Sequence, residues 1–93
     1  MSGPATIIIY STQSCPSCIR AKQFFENRDL AYTELRVDNN EQLRQEMEAR
    51  SARRRTVPQI FINDQHIGGY DDLMALARTD ALDQLLREEK SNA

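Results

Sequence analysis

The sequence predicts an α/β fold: a four-stranded mixed sheet with helices on both faces, in the order β-α-β-α-β-β-α-α. Three observations carry this. Residues 6–10 form a nearly continuous apolar, β-branched run, as expected of a strand covered on both faces. Helical stripes then alternate with short β-prone segments, the pattern of a sheet layered with helices. Finally, Asn63-Asp64 separates two β-prone segments and marks a tight hairpin.

Each element has its own signal. Residues 1–4 read as a loose tail, and residues 11–14 as a polar loop after the first strand. Pro16 suits the first turn of a helix, where its missing N–H costs nothing. That helix is expected over residues 16–27, with Ile19, Ala21, Lys22, Phe24 and Phe25 at helical spacing and Ala21 and Phe25 sharing the core face. Residues 32–37 alternate and form the second strand. Asn39 or Asn40 can cap the next helix, with Glu41 in its first turn and Leu43, Met47 and Arg50 along a stripe ending near Ser51. After the basic loop Arg53-Arg54-Arg55, a third strand is expected over residues 57–62 and a fourth over 65–67, ending at Gly68-Gly69. Asp71 or Asp72 can cap a helix holding Leu73, Met74, Leu76 and Ala77. Residues 80–89 continue as an amphipathic helix through Leu82, Leu85 and Leu86, and residues 91–93 should fray. The first two strands should be parallel with a right-handed crossover, and the last two antiparallel because only a turn joins them.

Composition narrows the function. The 93 residues suffice for one domain, with a core expected over about residues 5–88. A net charge of −2 gives no field favouring nucleic acid or an anionic membrane. No apolar run approaches the roughly 20 residues that span a bilayer. The run Ile7-Ile8-Ile9-Tyr10 is too short for a signal-peptide core and has no basic segment before it, so a cytoplasmic protein is expected.

The two cysteines, Cys15 and Cys18, stand in a C-x-x-C arrangement. They are too few for the framework of a small secreted fold, and a bond between them would close almost no chain. Zinc needs about four ligands, and the one histidine, His66, is distant in sequence, so no metal is expected. Cys15 follows a buried strand and precedes a helix, which places it at the carboxyl edge of the sheet, where α/β sheets bind ligands. Unpaired N–H groups and a partial positive charge at the helix start stabilise a thiolate there. Its pKa should fall within the range of about 3.5–7.5 found at such sites. Cys18, one turn further in, should be more buried and able to resolve a mixed disulfide. Cys15 attacks and Cys18 resolves.

Two further segments stand out. Thr56-Val57-Pro58 opens a strand with a proline that cannot donate to a ladder. A cis Val57–Pro58 bond would leave Val57 backbone groups free to pair with an extended peptide; a trans proline at an edge-strand start is the alternative. In Gly68-Gly69-Tyr70-Asp71-Asp72 the glycines allow close approach of a ligand. The helix start beyond them offers the N–H groups of Tyr70 and Asp71 to a free α-carboxylate, and a carboxylate of Asp71 or Asp72 to an α-amino group. Alone, this segment is also a plain glycine turn and helix cap.

Cys15-Pro16-Ser17-Cys18, Thr56-Val57-Pro58-Gln59-Ile60-Phe61-Ile62 and Gly68-Gly69-Tyr70-Asp71-Asp72-Leu73, in this order and spacing, closely resemble the bacterial dithiol glutaredoxins. The resemblance implies a thioredoxin fold, a cis Pro58 and a thiol–disulfide oxidoreductase, with Cys15 and Cys18 catalytic and glutathione as co-substrate. It implies a glutathione groove formed by Ser17, Thr56, Val57, Pro58, Gly69, Tyr70 and Asp71. Val57 would pair with the cysteinyl part, and residues 69–71 would hold the γ-glutamyl end. Arg53, Arg54 or Arg55 would meet the glycyl carboxylate. Partners would be glutathione and disulfide-bearing or glutathionylated proteins, and the chain would act as a monomer. Two departures stand out: Ser17 where the family usually has tyrosine, and Thr12 where it often has lysine. Losing that cation leaves the thiolate more dependent on the helix terminus, so weaker glutathione affinity or altered substrate preference is expected. Two alternatives remain open: a thioredoxin-like donor reduced by a flavoprotein reductase, and a carrier of an iron–sulfur cluster bridged between two chains with glutathione as ligand.

Overall fold

The computed structural model describes residues 5–87. Along the chain run β1 (Ile7–Ser11), α1 (Pro16–Asn27), β2 (Thr33–Arg36), α2 (Glu41–Arg50), β3 (Gln59–Ile62), β4 (Gln65–Gly68), α3 (Tyr70–Ala77) and α4 (Asp80–Arg87). The tail expected at residues 1–4, the last residues of the final helix at 88–89 and the fraying end at 91–93 lie outside the described residues.

The strands form one sheet in the order β2-β1-β3-β4. β1 is parallel to β2 and antiparallel to β3, and β3 is antiparallel to β4. This is the mixed sheet the sequence predicts. Strand alternation divides the core between its two faces. On one face Ile7, Ile9, Ile60 and Ile62 pack with Ala21 and Phe25 of α1, Leu73 of α3, and Leu82 and Leu85 of α4. On the other, Tyr10 and Phe61 pack with Val37 and with Met47 of α2. Burying a side chain such as Phe25 contributes about 1.5–3 kcal/mol.

Local chemistry explains most boundaries. The Asn40 side chain accepts the Leu43 N–H at 3.0 Å, so Asn40 rather than Asn39 caps α2. Asn63 and Asp64 both adopt positive φ, 53° and 67°, as a two-residue hairpin turn requires. Two expectations need correction. β3 begins at Gln59 rather than residue 57, because Pro58 has no N–H to give to a ladder. Neither Asp71 nor Asp72 is the cap of α3: Gly69 holds that position, and Asp72 reaches back from the first turn to accept the Gly69 N–H at 2.9 Å. Ala21 and Phe25 share the buried face of α1 as expected, with Cys18, and Ile19 lies outside it at 48% exposure.

Arg50, read only as the end of an α2 stripe, ties α2 to the sheet. Its guanidinium lies 4.3 Å over the Phe61 ring and donates to the Tyr10 hydroxyl at 2.7 Å. The Tyr10 hydroxyl in turn donates to Glu46.

Candidate active site

β1 ends at Ser11, and the chain then loops over the carboxyl edge of the sheet into α1. Cys15 is the N-cap of that helix, with extended backbone angles (φ −141°, ψ 98°) and Pro16 directly after it. Serine, threonine or aspartate usually accepts an N–H from this position. Here the acceptor is sulfur: Cys15 Sγ takes the Cys18 N–H at 3.0 Å. The helix therefore aims one of its unpaired donors, and the positive end of its dipole, at this sulfur.

Cys15 and Cys18 are joined as a disulfide with Cα atoms 5.2 Å apart. Cys18 is fully buried and Cys15 is 7% exposed, so the first cysteine is the more accessible, as its position in sequence suggests. Its exposure is nonetheless small, because its sulfur turns inward to Cys18 and lies 3.8 Å from the Val57 carbonyl oxygen.

The Val57–Pro58 peptide is cis, as the resemblance implies. Beside it lies an open cleft of about 200 Å³. Thr56, Val57 and Pro58 line one side, and Gly69, Tyr70 and Asp71 another, with Ser17 at its edge. The structure thus gathers into one cleft all seven residues named for glutathione, from three separate segments. Tyr70 and Asp71 open α3, where helix geometry leaves their N–H groups without intrahelical partners. Thr12 is half-buried just past the end of β1.

Two lining residues were less clear in the sequence. Of the three consecutive arginines, Arg54 lines the cleft, and its guanidinium lies 3.5 Å from the Asp72 carboxylate, which also lines it. The signal for Asp72 was its place three residues after Gly69; nothing local distinguishes Arg54 from its neighbours.

Further from the cleft, the Ser11 hydroxyl donates to Glu34, which also pairs with Lys22 of α1 at 3.0 Å. The Ser11 hydrogen bond, assisted by Lys22, holds the Glu34 carboxyl below its ordinary range despite the opposing effect of burial. Among the described residues, no group of three or more His, Cys, Asp or Glu side chains is placed to hold a metal ion. Among them also, no helix is long and apolar enough to cross a membrane.

Comparison with known proteins adds to this geometry. A family model described as Glutaredoxin matches residues 7–67. The chain is 48% identical over 83 residues to Glutaredoxin 3 of Escherichia coli, covering 89% of this chain and 99% of that protein. It is 49% identical over 82 residues to a probable glutaredoxin of Synechocystis, covering 88% of this chain and 75% of the relative. Its fold matches a buckwheat glutaredoxin solved as a glutathione complex, with a TM-score of 0.77, 28% identity, and coverage of 86% of this chain and 74% of that one.

Proposed function

The chain belongs to the glutaredoxin family and is a thiol–disulfide oxidoreductase, and on that premise we propose that glutathione is its reductant and that Cys15 is its nucleophile. The observation that carries this reading is the hydrogen bond from the Cys18 N–H to Cys15 Sγ, beside a cleft lined by residues 56–58 and 69–71. An acceptor that receives a helix N–H is a better acceptor as an anion, so the arrangement favours the Cys15 thiolate once the disulfide is reduced. The buckwheat glutaredoxin, solved with glutathione, supports a tripeptide as occupant of the cleft.

The reaction has two branches. In the first, Cys15 thiolate attacks the glutathione sulfur of a glutathionylated protein. A Cys15–glutathione bond forms, the protein–glutathione bond breaks, and the protein thiolate leaves and takes a proton from solvent. A second glutathione thiolate attacks the bound glutathione sulfur, releasing glutathione disulfide and restoring Cys15 thiolate. In the second branch, Cys15 attacks a protein disulfide. Cys18 then loses its proton and attacks Cys15 Sγ, which forms the intramolecular disulfide and releases the reduced protein. Two glutathione molecules return the pair to the dithiol.

In both branches the residues of the cleft hold the glutathionyl group. Backbone groups of Val57 pair with its cysteinyl part, and Ser17, Thr56 and Pro58 shape the adjoining wall. The Tyr70 and Asp71 N–H groups receive the γ-glutamyl carboxylate beside Gly69, and the Asp71 side chain receives its amino group. All these groups come from one chain, which supports a monomer acting as a single domain. Reduced glutathione is the thiol of the cytoplasm, and that compartment suits the reaction.

A coupled assay with glutathione, glutathione reductase and a glutathionylated peptide tests the reading. Saturable turnover is expected. Turnover only with a flavoprotein thioredoxin reductase would replace glutathione with a direct electron donor.

A further inference from the structure

Thr56 lines the cleft but belongs to no strand, since the β3 ladder begins only at Gln59. Its side chain is exposed, and an exposed loop threonine ordinarily samples several arrangements. Here its polar atoms are held from behind. The fully buried Gln59 side chain gives one amide hydrogen bond to the Thr56 carbonyl oxygen at 3.0 Å and another to the Thr56 hydroxyl oxygen at 3.2 Å. A carbonyl oxygen only accepts, so the Gln59 atom facing it is the NH2 group. The Gln59 amide oxygen must then face the other way, and it lies 2.7 Å from His66 Nε2. That contact is a hydrogen bond only if His66 Nε2 carries a proton. The network therefore assigns His66 as a donor to Gln59, and Gln59 as a donor to Thr56.

We infer that His66 and Gln59 are positioning residues for the glutathione cleft, a relay from β4 through β3 that fixes Thr56 at its rim. The inference rests on the proposed glutathione reading. Gln59 is the first residue of β3, opposite Tyr10, and His66 stands opposite Phe61 on the neighbouring strand. The His66 ring also packs on the Phe61 ring, with centroids 5.0 Å apart, which limits its rotation. Two rigid strands thus orient a loop residue that has no ladder partner of its own. Gln59 supplies the hydrogen bond to the Thr56 carbonyl that a longer β3 would have supplied. Burial, with help from the Arg54 guanidinium, lowers the His66 pKa, while Asp72 opposes them. A neutral imidazole protonated at Nε2 and an imidazolium both donate from that atom, so the relay does not depend on the charge of His66.

The test compares wild type, His66→Leu and His66→Gln. His66→Leu leaves the Gln59 amide oxygen without its donor and frees the amide to turn away from Thr56. His66→Gln keeps a donor near the same place. Kinetics with a glutathionylated peptide should show KM raised about fivefold in His66→Leu, with kcat within about twofold; fivefold corresponds to about 1 kcal/mol at about 1.4 kcal/mol per tenfold. His66→Gln should recover most of the loss. Reduction of the Cys15–Cys18 disulfide by dithiothreitol, which needs no glutathione site, should be unchanged in both variants. In the ligand-free protein, scalar couplings should show one Thr56 side-chain rotamer in wild type and His66→Gln, and averaging in His66→Leu. Unaltered KM and couplings in His66→Leu, or a His66→Gln variant as impaired as His66→Leu, would overturn the relay. If wild type fails to saturate with the peptide, the glutathione reading falls, and the Thr56 couplings alone decide whether the relay orders this loop.

Discussion

Replacing Gly68 with alanine strains the junction of β4 and α3, directly before the cleft residues Gly69, Tyr70 and Asp71. Gly68 has φ +117°, where side chains are rarely tolerated. A Cβ placed there would overlap the Asp72 carboxylate oxygen and lie 2.7 Å from Asp72 Cγ and 3.0 Å from Asp72 Cβ. The carboxylate could swing away, but Asp72 Cβ is fixed to the helix backbone, so moving only the end of the side chain does not relieve the collision. The swing would also cost the 2.9 Å hydrogen bond from the Gly69 N–H that anchors the start of α3. Backbone strain of this kind costs about 1–3 kcal/mol, and losing a helix-start hydrogen bond costs about 1 kcal/mol. The Arg54–Asp72 pair is too exposed to add much. Gly68→Ala should therefore lose about 2–4 kcal/mol in urea unfolding. Asp72→Ala removes the carboxylate itself and should lose about 1 kcal/mol. Because that change removes the carboxylate and Cγ that the new Cβ would strike, leaving only the 3.0 Å approach to the residue 72 Cβ, and because both single variants lose the same Gly69 N–H bond, the double variant should be less destabilised than the two single losses combined, by about 1 kcal/mol. A Gly68→Ala protein within about 0.5 kcal/mol of wild type, or strict additivity in the double variant, would refute this account of the β4–α3 junction.

Two other substitutions probe separate parts of the molecule. Cys15→Ser should abolish both reductions, whereas Cys18→Ser should block reduction of protein disulfides and leave deglutathionylation largely intact; loss of both activities in Cys18→Ser would contradict the division of labour, and the coupled glutathione assay reads all of them. Ser11→Ala removes the hydrogen bond that contributes most to lowering the Glu34 pKa, so that pKa should rise toward its ordinary 4.5 in an NMR titration. A folded-state pKa below the unfolded value stabilises the protein above that unfolded value and ceases to do so as pH falls through the folded one. The variant should therefore be less stable than wild type by about 1 kcal/mol near neutral pH, with the gap narrowing in acid; a gap that widens in acid would count against the Ser11–Glu34 bond.

What the sequence made legible was local or periodic. Pro16 sets the start of α1, and the expected bounds of that helix match the observed Pro16–Asn27. The isoleucines of β1, the Asn63-Asp64 turn and the spacing of Cys15 from Cys18 each carry their meaning within a few residues. The errors arose where a neighbour in space decides the outcome. Ile19 stands at helical spacing with Ala21 and Phe25, but how α1 seats on the sheet leaves it outside the core, which spacing alone does not say. The cap of α3 was misplaced because Gly69 has no side chain to announce it, and its N–H donates to the Asp72 carboxylate three residues later. The choice of Arg54 among three arginines depends on the fold of the 51–55 loop, where Ala52 and Arg53 take positive φ. The contact of His66 with Gln59 follows from strand pairing, which composition does not reveal.

The central claim is that the amino end of α1 holds Cys15 as a thiolate. It is tested most directly by the pH dependence of Cys15 alkylation in reduced Cys18→Ser protein, where only one thiol is present. The account predicts a midpoint within about 3.5–7.5. A midpoint near the free-cysteine value of about 8.5 would contradict it.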